Sequence, residues 1–187
     1  NKFNMSKKET KHLDCTLRDG GYYNNWDFSK ELVDDYLNAM KSINVDVVEL
    51  GFRSFPSKNF KGPYYYTTSK VFKSIELPRG LDFGVMVNAS EIIDENYSSV
   101  DQIKKLFDKE DKNFITLVRI ACHYKEVERI LDATVWLKEQ GYKVGLNLMQ
   151  ISNKTETEIA EITKKINEYD IDILDRKSTR LNSSHQI

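Results

Sequence analysis

Residues 13–26 read Leu13-Asp14-Cys15-Thr16-Leu17-Arg18-Asp19-Gly20-Gly21-Tyr22-Tyr23-Asn24-Asn25-Trp26. The apolar start of this stretch predicts a strand over about His12 to Leu17, and strand alternation would put Asp14, Thr16 and Arg18 on one side. In a parallel α/β fold, ligands bind at the C-terminal ends of the strands. The chemistry expected there is a cationic Arg18 holding an anionic group beside Asp19, a carboxylate able to ligate a divalent metal. A turn closed by a surface salt bridge would use the same residues.

Outward from this stretch, short apolar runs alternate with segments of helical period, the pattern of repeated βα units around a parallel sheet. A helix is expected from Ser29 as N-cap, with Leu32, Val33, Tyr36, Leu37 and Met40 on one face. The β-branched run Val45 to Leu50 predicts a second strand, followed by a long loop from Gly51 to about Thr67. Helices are expected around Ser69–Ile75 and Val100–Phe107, and strands over Phe83–Asn88 and Phe114–Ala121. The next helix carries Val127, Ile130, Leu131, Thr134 and Leu137 and ends at Gly141, followed by a strand over Lys143–Met149. Thr155 and Glu158 form a capping box before Ile159, Ile162 and Ile166, and Ile171–Leu174 begins a sixth strand. The sum is five βα units and a stub.

Periodicity gives the units and not their closure, so a barrel and an open doubly wound sheet both fit. Asp19-Gly20-Gly21-Tyr22 lacks the GxGxxG spacing that would set amides around a pyrophosphate, which weighs against dinucleotide binding. Glu49 lies at a spacing of two from Val45 and Val47 and should point with them into the sheet, where a carboxylate needs a partner, the alternative being a strand-end glutamate that reaches water. Arg18 is the natural one, because guanidinium and carboxylate pair through directed hydrogen bonds.

Lys plus Arg number 28 and Asp plus Glu 29 among 187 residues, so the net charge of -1 gives no general reason to expect nucleic acid or an anionic membrane. No stretch approaches the roughly 20 apolar residues that span a bilayer, and a cytoplasmic protein is expected. Cys15 and Cys122 lie in or beside apolar runs without CxxC spacing and are read as reduced and structural.

After Leu174 the chain turns polar and basic where a buried strand should continue. Residues 175–187 read as the in-frame translation of a common sequencing-library adapter; a disordered surface tail would have the same composition. The expected division is an N-terminal extension over 1–12, a partial catalytic domain over 13–174 and a foreign tail over 175–187, with Met5 as the true start.

The motif D-x-T-L-R-D-G at Asp14–Gly20 together with V-E-L-G at Val48–Gly51 resembles the DRE-TIM metallolyase superfamily. Within it, Asp14 to Trp26 is most similar to the 4-hydroxy-2-oxovalerate aldolase-like branch, related to HMG-CoA lyase. The resemblance implies a (β/α)₈ TIM barrel, truncated here after about five βα units. It further implies Asp19 as a ligand of Mn²⁺ or Mg²⁺, Arg18 stabilising the enolate oxygen of a 2-oxo acid, and Glu49 orienting Arg18. Co-substrates would be an aldehyde or an acyl group, and assembly with itself or with a partner dehydrogenase is compatible with it. Neither nucleic acid nor a membrane is implied.

Two departures stand out. Where characterised aldolases carry an acid/base histidine, this chain has Tyr22, which can act as an acid/base only if its pKa falls well below ~10. The family's His-x-His metal pair is absent, the histidines being His12, His123 and His185, so the chain as given is expected to be inactive. Arg119, His123 and Asn147 are candidates for substrate binding, although His123 could instead cap a helix and Asn147 satisfy buried backbone. The Tyr64-Tyr65-Tyr66 cluster reads as a lid or as a packed loop. Competing functions are a Claisen-type acyltransferase using the same enolate and a non-catalytic barrel that binds a metabolite.

Overall fold

The computed structural model describes residues 10–177. Its strands are β1 (Leu13–Asp14), β2 (Val47–Phe52), β3 (Asp82–Asn88), β4 (Ile115–His123), β5 (Lys143–Met149) and β6 (Ile173–Lys177). They form one sheet in the order of the chain, and all neighbouring pairs are parallel. A doubly wound sheet reverses its order at a switch point, whereas here each crossover advances one strand in the same direction, as in a (β/α)₈ barrel. Strand order thus decides what periodicity left open: the fold is a curled, barrel-type parallel sheet.

The helices are α1 (Thr16–Asn24), α2 (Lys30–Ser42), α3 (Ser69–Ser74), α4 (Ala89–Ile92), α5 (Ser99–Leu106), α6 (Val127–Glu139) and α7 (Glu156–Ile166). No described helix is long and apolar enough to cross a membrane. In α2, Ser29 accepts from Leu32 N at 3.3 Å as the expected N-cap. Val33 and Leu37 are fully buried there, each contributing about 1.5–3 kcal/mol, while Leu32 is 51% exposed and leaves the expected stripe. All five apolar-face positions named for α6 are buried, and Gly141 follows that helix at φ 91°. The Thr155–Glu158 capping box opens α7 in both directions.

Several bounds differ from expectation: the second strand runs over Val47–Phe52 rather than Val45–Leu50, and the fourth over Ile115–His123 rather than Phe114–Ala121. The first strand stops at Asp14, because its side chain accepts from Thr16 N at 2.9 Å and Thr16 Oγ1 at 3.1 Å and turns the chain into α1. Arg18 is therefore on a helix, and strand alternation no longer relates it to Asp14 and Thr16. The short helix α4 was not anticipated. The sixth strand runs over Ile173–Lys177 rather than Ile171–Leu174, with Asp175, Arg176 and Lys177 in register with Asn147, Leu148 and Met149. The expectations for Met5 and for residues 178–187 fall outside the described residues.

Candidate active site

Helix α1 leaves the C-terminal end of β1 and carries Arg18, Asp19 and Tyr22. Its C-terminus is tied down by Trp26, which follows Asn25 with both residues in the left-handed region and whose indole Nε1 donates to Arg18 O at 2.9 Å. This fold-back is the local reason for the Gly-Gly-Tyr-Tyr-Asn-Asn-Trp sequence. It fixes the backbone of the residue with the most buried charge on the helix.

Arg18 is 3% exposed and Glu49 fully buried, and Arg18 Nε donates to Glu49 Oε1, so the pair expected from sequence is formed. Arg18 Nη1 lies 2.8 Å from Asp19 Oδ1. Burial alone would lower the pKa of Arg18, but Glu49 and then Asp19 outweigh it and the direction is up. Arg18 Nη2 is buried and has no hydrogen-bond partner among the described residues. A charged donor in that state normally costs at least ~1–3 kcal/mol, so its retention points to something beyond stability.

The other expected residues divide into two groups. Asn147 and Arg119 lie on the same face of the sheet as Glu49 by register, both buried, and Asn147 Oδ1 is also without a partner among the described residues. His123 shares that face at the end of β4, and its backbone N donates to Glu126 Oε2 at 2.7 Å where a short 3₁₀ turn begins. Tyr22 is one helical turn beyond Arg18 and 61% exposed, with its ring edge-on to Trp26 at 4.8 Å and to Phe52 at 6.2 Å. Partial burial pushes its hydroxyl above the ordinary tyrosine value, against the pull of Arg18. Tyr22 therefore stays protonated at neutral pH.

Phe52 escaped the sequence reading for a definite reason. Register slips between Glu49 and Gly51, a bulge that inserts Leu50 and turns Phe52 onto the Glu49 side of the sheet. Its ring lies 5.7 Å from the Arg18 guanidinium carbon. Strict alternation would have sent Phe52 the other way. In the loop after β2, Tyr64 is buried against Phe28 and Tyr65 packs 5.0 Å from Trp26, so both rings are part of a packed aromatic wall. Arg53, also unread, is buried in an ion pair with Asp111 and donates to Leu106 O and Thr67 O, which anchors the end of β2.

No protein-family model and no curated protein sequence matches the chain. Among solved structures it is similar to the N-terminal domain of a presumptive aldolase from Bacteroides vulgatus: 24% identity, 94% of this chain and 79% of that one, TM-score 0.69. It is also similar to the HMG-CoA lyase of Bacillus subtilis, with 10% identity, 90% of this chain and 58% of that one, and a TM-score of 0.64. For the hydroxymethylglutaryl-CoA lyase of Pseudomonas aeruginosa the values are 13%, 90%, 57% and 0.61.

The chain shares the barrel fold of these three structures.

The chain spans less than two thirds of the length of either lyase. Within this lyase-type fold the described residues do not make up a metal centre. Asp19 is half-exposed at the end of the Arg18 guanidinium and accepts from Cys15 Sγ at 3.5 Å, but among the described residues no three His, Cys, Asp or Glu side chains cluster as ligands. A hard divalent cation wants about six oxygen ligands, and one carboxylate falls short. Both cysteines are free; burial raises the Cys15 thiol and pushes Cys122 up to about 12, which makes them poor nucleophiles.

Proposed function

We propose that the protein makes or breaks a carbon–carbon bond next to the carbonyl of a 2-oxo acid of pyruvate type, as an aldolase or lyase working through an enolate. The observation that carries this reading is Arg18, a buried guanidinium fixed by Glu49 with Nη2 left as a donor. As the bond breaks, negative charge grows on the former carbonyl oxygen, and a fixed cationic donor in a site shielded from water is worth far more to that charge than to the neutral carbonyl. Glu49 keeps the donor from reorganising. Tyr22 is protonated and one turn away, so it donates a hydrogen bond or a proton to an oxygen at the mouth rather than removing one. That role suits a residue that replaces histidine as an acid and not as a base.

Asp19 offers one oxygen to the Mn²⁺ or Mg²⁺ that the sequence resemblance implies. The described residues do not complete a site for that ion, so the roles assigned are those of Arg18, Glu49 and Tyr22, and the proton lost from the pyruvate methyl group on condensation, or from the 4-hydroxyl on cleavage, passes to a base outside these three. Product analysis with the protein expressed from its full gene tests the reading. Pyruvate plus a short aldehyde should give a 4-hydroxy-2-oxo acid. Condensation with acetyl-coenzyme A alone would move the assignment to an acyltransferase, and no reaction of any 2-oxo acid would overturn it.

A further inference from the structure

Glu49 faces two arginines. Its Oε1 accepts from Arg18 Nε, and its Oε2, otherwise without a hydrogen-bond partner among the described residues, lies 3.4 Å from Arg119 Nη1. Arg119 is 4% exposed; its Nη2 donates to half-exposed Asp175 at 3.2 Å, while its Nη1 faces fully buried Glu49 without a hydrogen bond. With little water to screen it there, the charge of Arg119 acts on the same carboxylate that holds Arg18.

The sheet is notched to let this happen. Arg119 is on β4 in register with Met86 of the intervening strand, and Glu49 is on β2 in register with Gly84, so at the level of Glu49 that strand puts no side chain in the way of the Arg119 guanidinium. On the other flank, Gly145 of β5 is in register with Arg119, and a Cβ there would come within 2.8 Å of Arg119 Cγ. That atom is the stem of the side chain and not its flexible end, so any larger residue at 145 must push Arg119 aside. A carboxylate held through one oxygen can still rotate about its Cγ–Cδ bond; a second cation at the other oxygen fixes its plane.

We propose that Arg119 is a positioning residue that fixes the plane of Glu49 and, through Glu49, the direction in which Arg18 presents Nη2. The catalytic meaning of that direction rests on the proposed enolate chemistry, but the positioning itself is a property of this chain. It is tested without substrate, by NMR on the chain labelled with ¹⁵N-arginine. The Arg18 Nε–H proton, assigned by its loss in Arg18→Lys, should be protected from solvent exchange by Glu49. Arg119→Met and Gly145→Ala should each speed its exchange about tenfold or more, and Arg119→Lys, which keeps the charge, should restore part of the protection. Gly145→Ala removes no charge and puts a better strand former in β5, so it still reports if Arg119→Met does not fold. Unchanged Arg18 exchange in either folded variant would overturn the proposal. Should the exchange differences appear in a protein that enolises no 2-oxo acid, the positioning stands and the proposed function is what fails.

Discussion

The Arg18 guanidinium on α1 donates through Nε to Glu49 on β2, with both side chains withdrawn from solvent. Two segments separated by the whole of α2 are joined by this contact. Truncating the acid partner leaves the buried cation with half-exposed Asp19 as its ion pair, and removing one member of a buried pair typically costs about 3–5 kcal/mol. Glu49→Ala should lower the stability of the chain by that amount, read as a fall in urea midpoint. A loss below about 1 kcal/mol would mean that Arg18 reaches water and is not held as described.

Arg53 should behave similarly, with a pH signature. Its ion pair with fully buried Asp111 works against burial, which raises the Asp111 carboxyl above the usual carboxylate range while Arg53 pulls it back. Arg53→Met removes the compensating cation, so the folded-state pKa of Asp111 rises further while the unfolded value stays near ~3.9. A raised carboxyl pKa favours the folded state at low pH and loses that contribution as pH rises through the folded value. The deficit of Arg53→Met against wild type should thus be smaller at pH 4 than at pH 8 in denaturant titrations. An equal deficit at both would contradict the burial of Asp111.

Much of the fold was legible because local chemistry agreed with it. Ser29, Thr155 with Glu158, and Gly141 mark helix ends through hydrogen bonds or φ values that need no tertiary context. The Arg18–Glu49 pair was also readable, since a carboxylate among strand residues demands a cation. What could not be read depends on the three-dimensional setting. Asp14 ends the strand by accepting from Thr16 as the chain turns into α1, although its neighbours look like a strand; Phe52 faces Arg18 only because of a bulge; and Arg53 finds Asp111 fifty-eight residues away. Sequence period carries none of these.

Glu158 supplies an acid-side test of α7. Its carboxylate accepts from Lys154 Nζ at 2.9 Å and from Thr155 N at 2.8 Å, and these bonds, Lys154 foremost, lower its pKa to about 2. A depressed carboxyl contributes stability above its unfolded value of ~4.3 and loses it as pH falls toward the folded one. Glu158→Gln should therefore flatten the fall in thermal midpoint between about pH 4.5 and 2. A wild-type and variant slope that coincide would remove Glu158 from the account.

Tyr22 is expected to ionise above ~10, the ordinary tyrosine value, because its partly buried ring is desolvated. The difference in tyrosinate absorbance between wild type and Tyr22→Phe isolates this group. A midpoint below 9 would make Tyr22 a base in waiting and reverse its proposed role as donor.

The central claim is that Arg18, aimed by Glu49, stabilises the enolate of a 2-oxo acid. The most direct measurement follows the methyl protons of pyruvate in D₂O by NMR, with the protein expressed from its full gene and with its Arg18→Ala variant. Exchange reports enolate formation whether or not a second substrate is known. Loss of one such donor typically costs about 3–4 kcal/mol, so the variant should exchange roughly a hundredfold to a thousandfold more slowly with similar pyruvate binding. Exchange at the wild-type rate in a folded Arg18→Ala protein would contradict the account.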